Sequence, residues 1–362
     1  MANILRNWLD NFLGSGDAAV TVPPLDGALK PNNRLEEAPR GITVPQPDCC
    51  VTTPAGLIYS SGNTLFLMPF DGSAGREFHR AASEVTALAV SSAGILALAI
   101  AGKIQFLDLS GAPMSGLSGG QQNWTTVTAL AFAPDDTLVI AVGSSKNLPA
   151  DWQRDLLERE RAGLVWRLVP STGKATQFAQ RLRYPNGLAV APDGTIIVSE
   201  AWEKQLIRLA PNGTLIGQVI EDLPGYPARI SPSGRGGYWL SVFAPRSQLI
   251  EFVLREPAYR KAMMAEVDKE FWVAPALRSG YSFREPMQGG ALKQMGILKP
   301  WAPTRSYGLV VELTGDFVPA RSFHSRTGGR RHGITSAVEA DGKLWMTSKG
   351  GDEVFAIDLG GN

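Results

Sequence analysis

Only a few side chains in this 362-residue sequence combine chemical reactivity with a position beside a predicted strand. His332 titrates near neutral pH and could act as a general base. Arg229 carries a permanent positive charge, which could polarise a carbonyl oxygen or pair with a carboxylate. Asp48 immediately precedes Cys49 and Cys50, and a cysteine nucleophile would need a nearby base such as His332. These residues are far apart in the sequence, so only a fold that brings distant segments together could combine them.

The fold is indicated by a repeated pattern that begins at or next to these residues. Each copy begins with a run in which apolar and polar residues alternate. A short turn with Gly or Asp and a second alternating run follow, which is typical of a β-hairpin. Two pairs of neighbouring copies are 42 residues apart, within the ~40–50 residues of a propeller blade. The six copies begin at Cys49, Val85, Val127, Asn186, Ala228 and Gly333. With the strands that follow most copies, the pattern predicts an all-β, six-bladed β-propeller of four-stranded antiparallel blades.

The remaining segments precede or interrupt the repeats. We predict an N-terminal helix and extended lead-in over residues 1–40, followed by one six-bladed propeller over residues 41–362. The helix is interpreted as a short amphipathic docking helix, with a membrane-surface anchor as the alternative. A charged segment at 148–163 has a helical pattern. A longer insertion at about 255–304 is predicted between blades 5 and 6, as a helix followed by a loop. The pattern leaves open how the ring closes.

Composition and short motifs exclude several classes of protein. The 35 Lys and Arg against 34 Asp and Glu give a net charge of +1, without the basic excess of most nucleic-acid-binding proteins. No apolar run approaches the ~20 residues that a membrane-spanning helix needs. The only two cysteines are adjacent, which is too few for a disulfide framework or a zinc site and favours a reducing cytoplasm. Walker, dinucleotide-binding, HExxH and nucleophile-elbow motifs are absent. The expected partner is therefore a small molecule.

Several segments resemble the strictosidine synthase-like family of six-bladed propellers, in particular its adipocyte plasma membrane-associated protein branch. They are PPLDGALKPNNRLEEA, SSKNLPADWQRD, LRYPNGLAVAPDGTIIVSEAW, DLPGYPARISPSGRGGYWLSV, YGLVVEL and ITSAVEADGKLWMTS, and they extend over roughly residues 23–359 in the order of the family. The wider clan includes gluconolactonases and paraoxonases, which hydrolyse lactones and esters at a calcium ion in the central channel. The resemblance therefore implies a site at the channel mouth, where the innermost strands begin.

The calcium ligands that the resemblance implies are altered in this sequence. The family pattern has a Glu in the first blade, an Asn in the third and fourth, and an Asp in the fifth. Asp48, Thr128 and Asn186 occupy the first three of these positions, and Ala228–Arg229 replaces the last. Only Asp48 and Asn186 remain as candidate metal ligands, so we disfavour calcium and expect no cofactor. Arg229 would repel a divalent cation and could pair with Asp48 in its place, unless its side chain points to solvent.

The last blade carries two further positions that the resemblance singles out. Strictosidine synthase uses a Glu near the start of this blade, and that position falls at Thr335 here. A threonine cannot act as the same acid or base at neutral pH, so Pictet–Spengler chemistry is not expected. His332 precedes the innermost strand of the blade, and some hydrolases of the clan use a channel histidine as the base. The alternative is a hydrogen-bonded structural histidine.

We therefore predict hydrolysis of a small ester or lactone at the central channel. His332 would be the base, and Arg229 with Asn186 would polarise the carbonyl oxygen. The alternative is a catalytically degenerate propeller that binds a small molecule or a protein. Convergence of the Arg229 and His332 side chains would favour the enzyme, and divergence would count against it. The residues predicted to bind substrate are Asp48, Thr128, Asn186 and Thr335.

Overall fold

The computed structural model describes residues 22–282, 284–285, 293–294, 297–298 and 305–360. The helix predicted at the start of the chain lies outside these residues, as does most of the loop half of the long insertion. Between residues 22 and 41 the chain forms a 3-10 helix at Gly27–Leu29 and one short helix, α1 (Arg34–Glu37).

Six antiparallel sheets form the blades of a propeller, which confirms the predicted fold. The first strand of the chain, β1 (Ile42–Thr43), belongs to the last blade. Blade 1 contains β2 (Pro47–Thr53), β3 (Gly56–Ser61), β4 (Thr64–Met68) and β5 (Arg76–Arg80). Blade 2 contains β6 (Val85–Val90), β7 (Leu96–Ile100) and β8 (Lys103–Leu107). Its fourth strand is reduced to a single bridge between Leu107 and Pro113.

Blades 3 and 4 each have four strands that run outward from the channel. Blade 3 contains β9 (Thr126–Phe132), β10 (Leu138–Ser144), β11 (Gly163–Val169) and β12 (Lys174–Leu182). The helical segment predicted near residue 148 follows β10, as a 3-10 helix at Pro149–Asp151 and α2 (Trp152–Glu158). Blade 4 contains β13 (Pro185–Val190), β14 (Ile196–Glu200), β15 (Gln205–Leu209) and β16 (Leu215–Ile220).

The long insertion lies within blade 5 and not between blades 5 and 6, which corrects this detail of the prediction. Blade 5 contains β17 (Gly225–Pro232), β18 (Tyr238–Pro245), β21 (Gly308–Leu313) and β22 (Pro319–Ser325). The insertion comes between β18 and β21, because the strands that follow it pair back onto β18. It contains α3 (Gln248–Val253), α4 (Pro257–Glu266), a 3-10 helix at Lys269–Phe271, and the strand pair β19 (Lys293–Gln294) and β20 (Ile297–Leu298).

The second strand of a blade is an apolar run and does not alternate between apolar and polar residues. All residues of β7, β10 and β14 are buried. Each sheet packs between two neighbouring sheets, so water is excluded from both of its faces and both faces accept apolar side chains. The innermost strand of each blade contacts that of the next. The order around the ring is β2, β6, β9, β13, β17 and β23 (Ile334–Ala340), and β23 contacts β2 again.

The ring closes through the N-terminal segment. Blade 6 is built from β23, β24 (Lys343–Ser348) and β25 (Glu353–Asp358), and β1 adds its outer strand by pairing Ile42 with Val354 and Thr43 with Glu353. The last blade therefore combines both ends of the propeller. Closure is held by hydrogen bonds and packing, because the two cysteines of the chain are free.

A buried arginine, Arg331, stabilises the closed ring. The Arg331 side chain is 0% exposed, and its guanidinium donates two hydrogen bonds to Glu353, Nε to Oε2 at 2.9 Å and Nη2 to Oε1 at 2.7 Å. The remaining N–H groups donate to carbonyl oxygens of Leu35, Ala38 and Pro39 in the lead-in. All five donors of the guanidinium are thus satisfied, which a buried charge requires.

Replacing Arg331 with Met should destabilise the fold by about 3–5 kcal/mol, because Glu353 would remain buried without its partner. Chemical denaturation followed by tryptophan fluorescence measures the free energy of unfolding. Arg330→Met is the matched control, since the neighbouring Arg330 side chain is 50% exposed and makes only long ion pairs, at 3.9 Å with Glu36 and 4.0 Å with Glu353. We expect the control to lose less than ~1 kcal/mol. Equal losses in the two variants would show that Arg331 does not fasten the ring.

Candidate functional site

A cavity of about 300 Å³ opens at one mouth of the central channel. The innermost strands all begin at this mouth, so the first residues of several blades converge there. The cavity is lined by five of the six residues predicted to form the site, namely Asp48, Thr128, Asn186, Arg229 and Thr335. The sixth predicted residue, His332, is not part of its lining.

The floor of the cavity is an ion trio formed by Asp48, Arg229 and Lys349. Arg229 Nη1 lies 2.7 Å from Asp48 Oδ1, and Lys349 Nζ lies 2.8 Å from Asp48 Oδ2. The Arg229 side chain is 16% exposed and also donates to the carbonyl oxygens of Thr86, at 2.7 Å, and Thr335, at 3.3 Å. Arg229 therefore reaches from blade 5 to blades 1, 2 and 6 and does not point to solvent.

The trio is fully ionised near neutral pH. Burial alone would raise the pKa of Asp48, but the positive charges of Arg229 and Lys349 outweigh it and hold this pKa well below its usual range. Burial would lower the pKa of both cations, and the charge of Asp48 raises it instead. Two positive charges and one negative charge leave a net charge of +1 on the trio.

Sequence reasoning missed Lys349, which is central to this arrangement. It follows the last residue of β24, at the end of the second strand of blade 6, whereas the prediction considered only the starts of innermost strands. Its backbone N–H donates to the Gly333 carbonyl at 2.9 Å, which continues the pairing of β24 with the adjacent strand past Ser348. Its Nζ is also 3.6 Å from a carboxylate oxygen of Glu84, another residue of the cavity lining. A lysine directly after an apolar strand was the signal available in the sequence.

One side of the cavity is an aromatic wall made of Trp152, Tyr184, Trp202 and Phe243. The rings of Tyr184 and Trp202 are stacked with centroids 4.4 Å apart, and those of Trp152 and Phe243 meet edge to face at 5.5 Å. The buried carboxylate of Asp155 in α2 accepts the indole N–H of Trp202 at 2.8 Å. The insertion in blade 3 thus both supplies one ring of the wall and fixes another.

The predicted polar residues of the lining are bonded to neighbouring blades. Thr128 Oγ1 donates to the Pro185 carbonyl at 2.6 Å, and Thr335 Oγ1 donates to the Asp48 carbonyl at 2.7 Å. Asn186 Nδ2 donates to the Pro227 carbonyl at 3.3 Å. These hydrogen bonds hold the strand starts together around the cavity, and they occupy donors that a ligand would otherwise use.

The residues at the channel mouth do not fit a calcium ion. Calcium binds six to eight oxygen ligands, usually with several carboxylates. Here both oxygens of Asp48 are occupied by cations, and Ala228 offers no side-chain ligand. Within the ranges that the structure describes, no group of three or more His, Cys, Asp or Glu side chains is placed to hold a metal. A divalent ion at Asp48 would also face the fixed charges of Arg229 and Lys349.

The structure places His332 away from Arg229, so the predicted pairing of these residues is not found. The ring of His332 is buried, with Nδ1 2.7 Å from Ser306 Oγ and Nε2 3.1 Å from the Arg326 carbonyl oxygen. Burial lowers its pKa. Gly333, at φ +61°, turns the chain between His332 and β23, and this turn leaves the imidazole packed against blade 5. By the criterion set from the sequence, this divergence counts against the enzyme, and in particular against His332 as its base.

The two cysteines are buried thiols. Cys49 Sγ lies 3.0 Å from Ser60 Oγ, and Cys50 Sγ lies 3.4 Å from Ser336 Oγ. Burial raises the pKa of Cys49 to about 11 and that of Cys50 to about 12. Both thiols are therefore protonated at neutral pH, and neither has the activating base that a cysteine nucleophile needs.

A second cavity, of about 280 Å³, lies at the opposite end of the channel. It is lined by the later residues of the innermost strands, which are largely small and apolar, such as Val51, Ala89 and Val190. Arg229 lines both cavities. Its side chain therefore lies between the charged mouth of the channel and the cavity at the other end.

Comparison with known proteins supports the resemblance seen in the sequence. The strictosidine synthase family model matches residues 128–210, which run from β9 into the outer half of blade 4. Adipocyte plasma membrane-associated protein of Danio rerio is 27% identical over 224 residues, which cover 60% of this chain and 47% of that protein. Protein strictosidine synthase-like 6 of Arabidopsis thaliana is 25% identical over 232 residues, which cover 64% of this chain and 54% of that protein. The chain thus spans about half the length of the curated relatives it matches.

A solved structure supports the fold over a larger part of the chain. It is the X-ray structure of a proposed gluconolactonase, with a TM-score of 0.56 and 15% sequence identity, and the match covers 89% of this chain and 91% of that one. At this level of identity the likeness concerns the fold alone. Among the described residues, no helix is both long enough and apolar enough to cross a membrane. The chain is a six-bladed propeller that is similar in sequence, over part of its length, to strictosidine synthase-like proteins.

Proposed function

We propose that this protein hydrolyses a small ester or lactone in the cavity at the channel mouth, without a metal ion. The observation that carries the proposal is the ion trio at the floor of that cavity, where Arg229 and Lys349 flank Asp48. A volume of about 300 Å³ is at the lower end of ligand-binding pockets, so the substrate is small. In the resemblance described above, this is the region in which hydrolases of the clan hold calcium.

The trio offers a fixed substitute for the electrostatic role of a metal. Ester hydrolysis places negative charge on the carbonyl oxygen in the transition state, and buried cationic N–H donors stabilise such a charge strongly. The Lys349 ammonium has three N–H donors, of which Asp48 occupies one at 2.8 Å. Asp48 holds the two cations in place, so they need no reorganisation when the charge develops.

The base in this proposal is Glu84 and not His332. Glu84 lines the cavity, its side chain is 51% exposed, and a carboxylate oxygen lies 3.6 Å from Lys349 Nζ. Asp48 is less suitable, because cations contact both of its oxygens and hold its pKa low. Water would attack the carbonyl carbon while Glu84 accepts its proton. The bond to the alkoxide oxygen would then break, and the alkoxide would take that proton to give an acid and an alcohol.

A second candidate function is ligand binding without turnover. It is favoured by two observations, the divergence of His332 from Arg229 and the engagement of both Asp48 oxygens. In that case the same cavity would hold a small molecule unchanged. The two candidates differ in whether a bound ester is consumed.

Lys349→Met should reduce kcat/KM for a hydrolysed ester by about 100-fold, because a donor to the developing oxyanion is lost. The assay would screen nitrophenyl esters of short acids together with five- and six-membered lactones against the full chain. Lys343→Met is the control, since Lys343 begins the same strand and lies over the Trp345 ring, away from the cavity lining. We expect the control to keep the wild-type rate. Saturable binding of these compounds with no turnover would replace the hydrolase with the second candidate.

Calcium should leave the stability of the protein unchanged. Melting temperatures measured in millimolar calcium and in excess chelator should agree, because no set of ligands at the channel mouth gains from the ion. Elemental analysis of the purified protein should find less than one calcium per chain. A stoichiometric calcium ion together with a melting shift of several degrees would contradict the metal-free site.

A further inference from the structure

We infer that the ligand of the cavity at the channel mouth is an anion with a flat apolar body, most simply an aryl carboxylate whose carboxylate binds Lys349. This inference uses the same cavity as the proposed function and specifies what the cavity recognises. It concerns binding, so it can hold whether or not an ester is turned over. Three features of the cavity carry it: the charge of the floor, the free donors of that floor and the composition of the wall.

The charge of the floor favours an anion. Asp48, Arg229 and Lys349 together carry one excess positive charge, and they are largely shielded from solvent. Glu84 is the fourth charged residue among the described residues of the lining, and its exposure lets water screen its charge. An excess charge that is shielded from water is unfavourable unless a counter-charge is near. A bound carboxylate would supply that counter-charge.

The floor also retains donors that can bind such a group. These donors belong to Lys349, whose side chain is 18% exposed, because Arg229 Nε, although it has no hydrogen-bond partner within the described parts of the chain, is fully buried. Lys349 donates to Asp48 at 2.8 Å, and its distance of 3.6 Å to Glu84 exceeds that of a hydrogen bond. Because Arg229 lines both cavities, it lies in the channel between them. The charged end of a ligand entering from the mouth would therefore stop at the trio.

The aromatic wall accounts for the apolar body. Its four rings all line the cavity and pack against one another, with centroid distances of 4.4 Å between Tyr184 and Trp202 and 6.2 Å between Trp152 and Trp202. Flat apolar groups pack well against such rings. An aromatic surface alone would also suit an organic cation. The positive charge of the trio decides against a cation, because the two charges would repel each other over the short distances of a small cavity.

The inference is tested by comparing ligands of the same shape and different charge. Calorimetric titration of the full chain with benzoate, benzamide and benzylammonium at low ionic strength would give the three affinities. We expect benzoate to bind about 10-fold or more tightly than benzamide, in line with a charge-assisted hydrogen bond. Benzylammonium should bind least tightly. Equal affinities for benzoate and benzamide, or preferential binding of benzylammonium, would overturn the inference.

Variants of Lys349 locate the anion. Lys349→Met should abolish the preference for benzoate over benzamide, whereas Lys349→Arg should retain most of it because the positive charge remains. Lys343→Met should behave as wild type. A preference that survives in Lys349→Met would show that this residue is not the binding group. The ligand comparison on the wild-type chain remains decisive if Lys349→Met does not fold.

The outcomes also separate this inference from the proposed function. Selective binding of benzoate by a protein that hydrolyses no ester would leave the inference standing and remove the hydrolase. Hydrolysis of neutral esters by a protein with no preference for benzoate would do the reverse.

Discussion

The structure depends on closing a ring whose two ends are far apart in the sequence. A propeller sheet left open at one blade exposes an edge strand and the faces of two blades to water. In this chain the lead-in crosses to the last blade, where β1 pairs with β25 and Arg331 binds Glu353 together with three backbone carbonyl groups. A buried ion pair stabilises only when its remaining donors are also satisfied. In this chain they are satisfied, so the buried charge holds the last blade to the lead-in segment that continues into blade 1.

The closed ring in turn sets the geometry of the channel mouth. Arg229 starts from blade 5 and contacts residues of blades 1, 2 and 6, so its hydrogen bonds exist only while those blades keep their spacing. The threonines and the asparagine of the lining add further bonds between adjacent blades. The floor of the cavity is thus part of the scaffold. A bound metal ion can be lost to a chelator, whereas a guanidinium attached to the chain cannot dissociate.

Much of the fold and of the cavity lining could be predicted from the sequence, because each repeat starts with an innermost strand and these strands begin at the channel. The resemblance singled out Asp48, Thr128, Asn186, Arg229 and Thr335, and all five line one cavity because the innermost strands begin at the channel. Lys349 was not singled out, because it follows a second strand and reaches the channel only through a turn. Trp152 comes from an insertion whose path no repeat specifies.

His332 shows the limit of reasoning by position. It precedes an innermost strand as the other residues do, but the positive φ of Gly333 intervenes and its ring packs beside Ser306. One backbone angle decides on which side of the strand start a side chain lies, and a sequence pattern does not contain that angle. The ring closure was left open for a similar reason, since β1 is only two residues long and gives no periodic signal.

The position of Arg229 between the two cavities has a consequence for how this protein can change. A ligand bound at the charged mouth must leave through the same mouth, because the Arg229 side chain lies between this cavity and the one at the other end. The other end of the channel therefore takes no part in binding that ligand. Substitutions at residues such as Val51 and Val190 are limited only by packing. Substitutions at the charged mouth are limited in addition by the ion pairs between Asp48, Arg229 and Lys349.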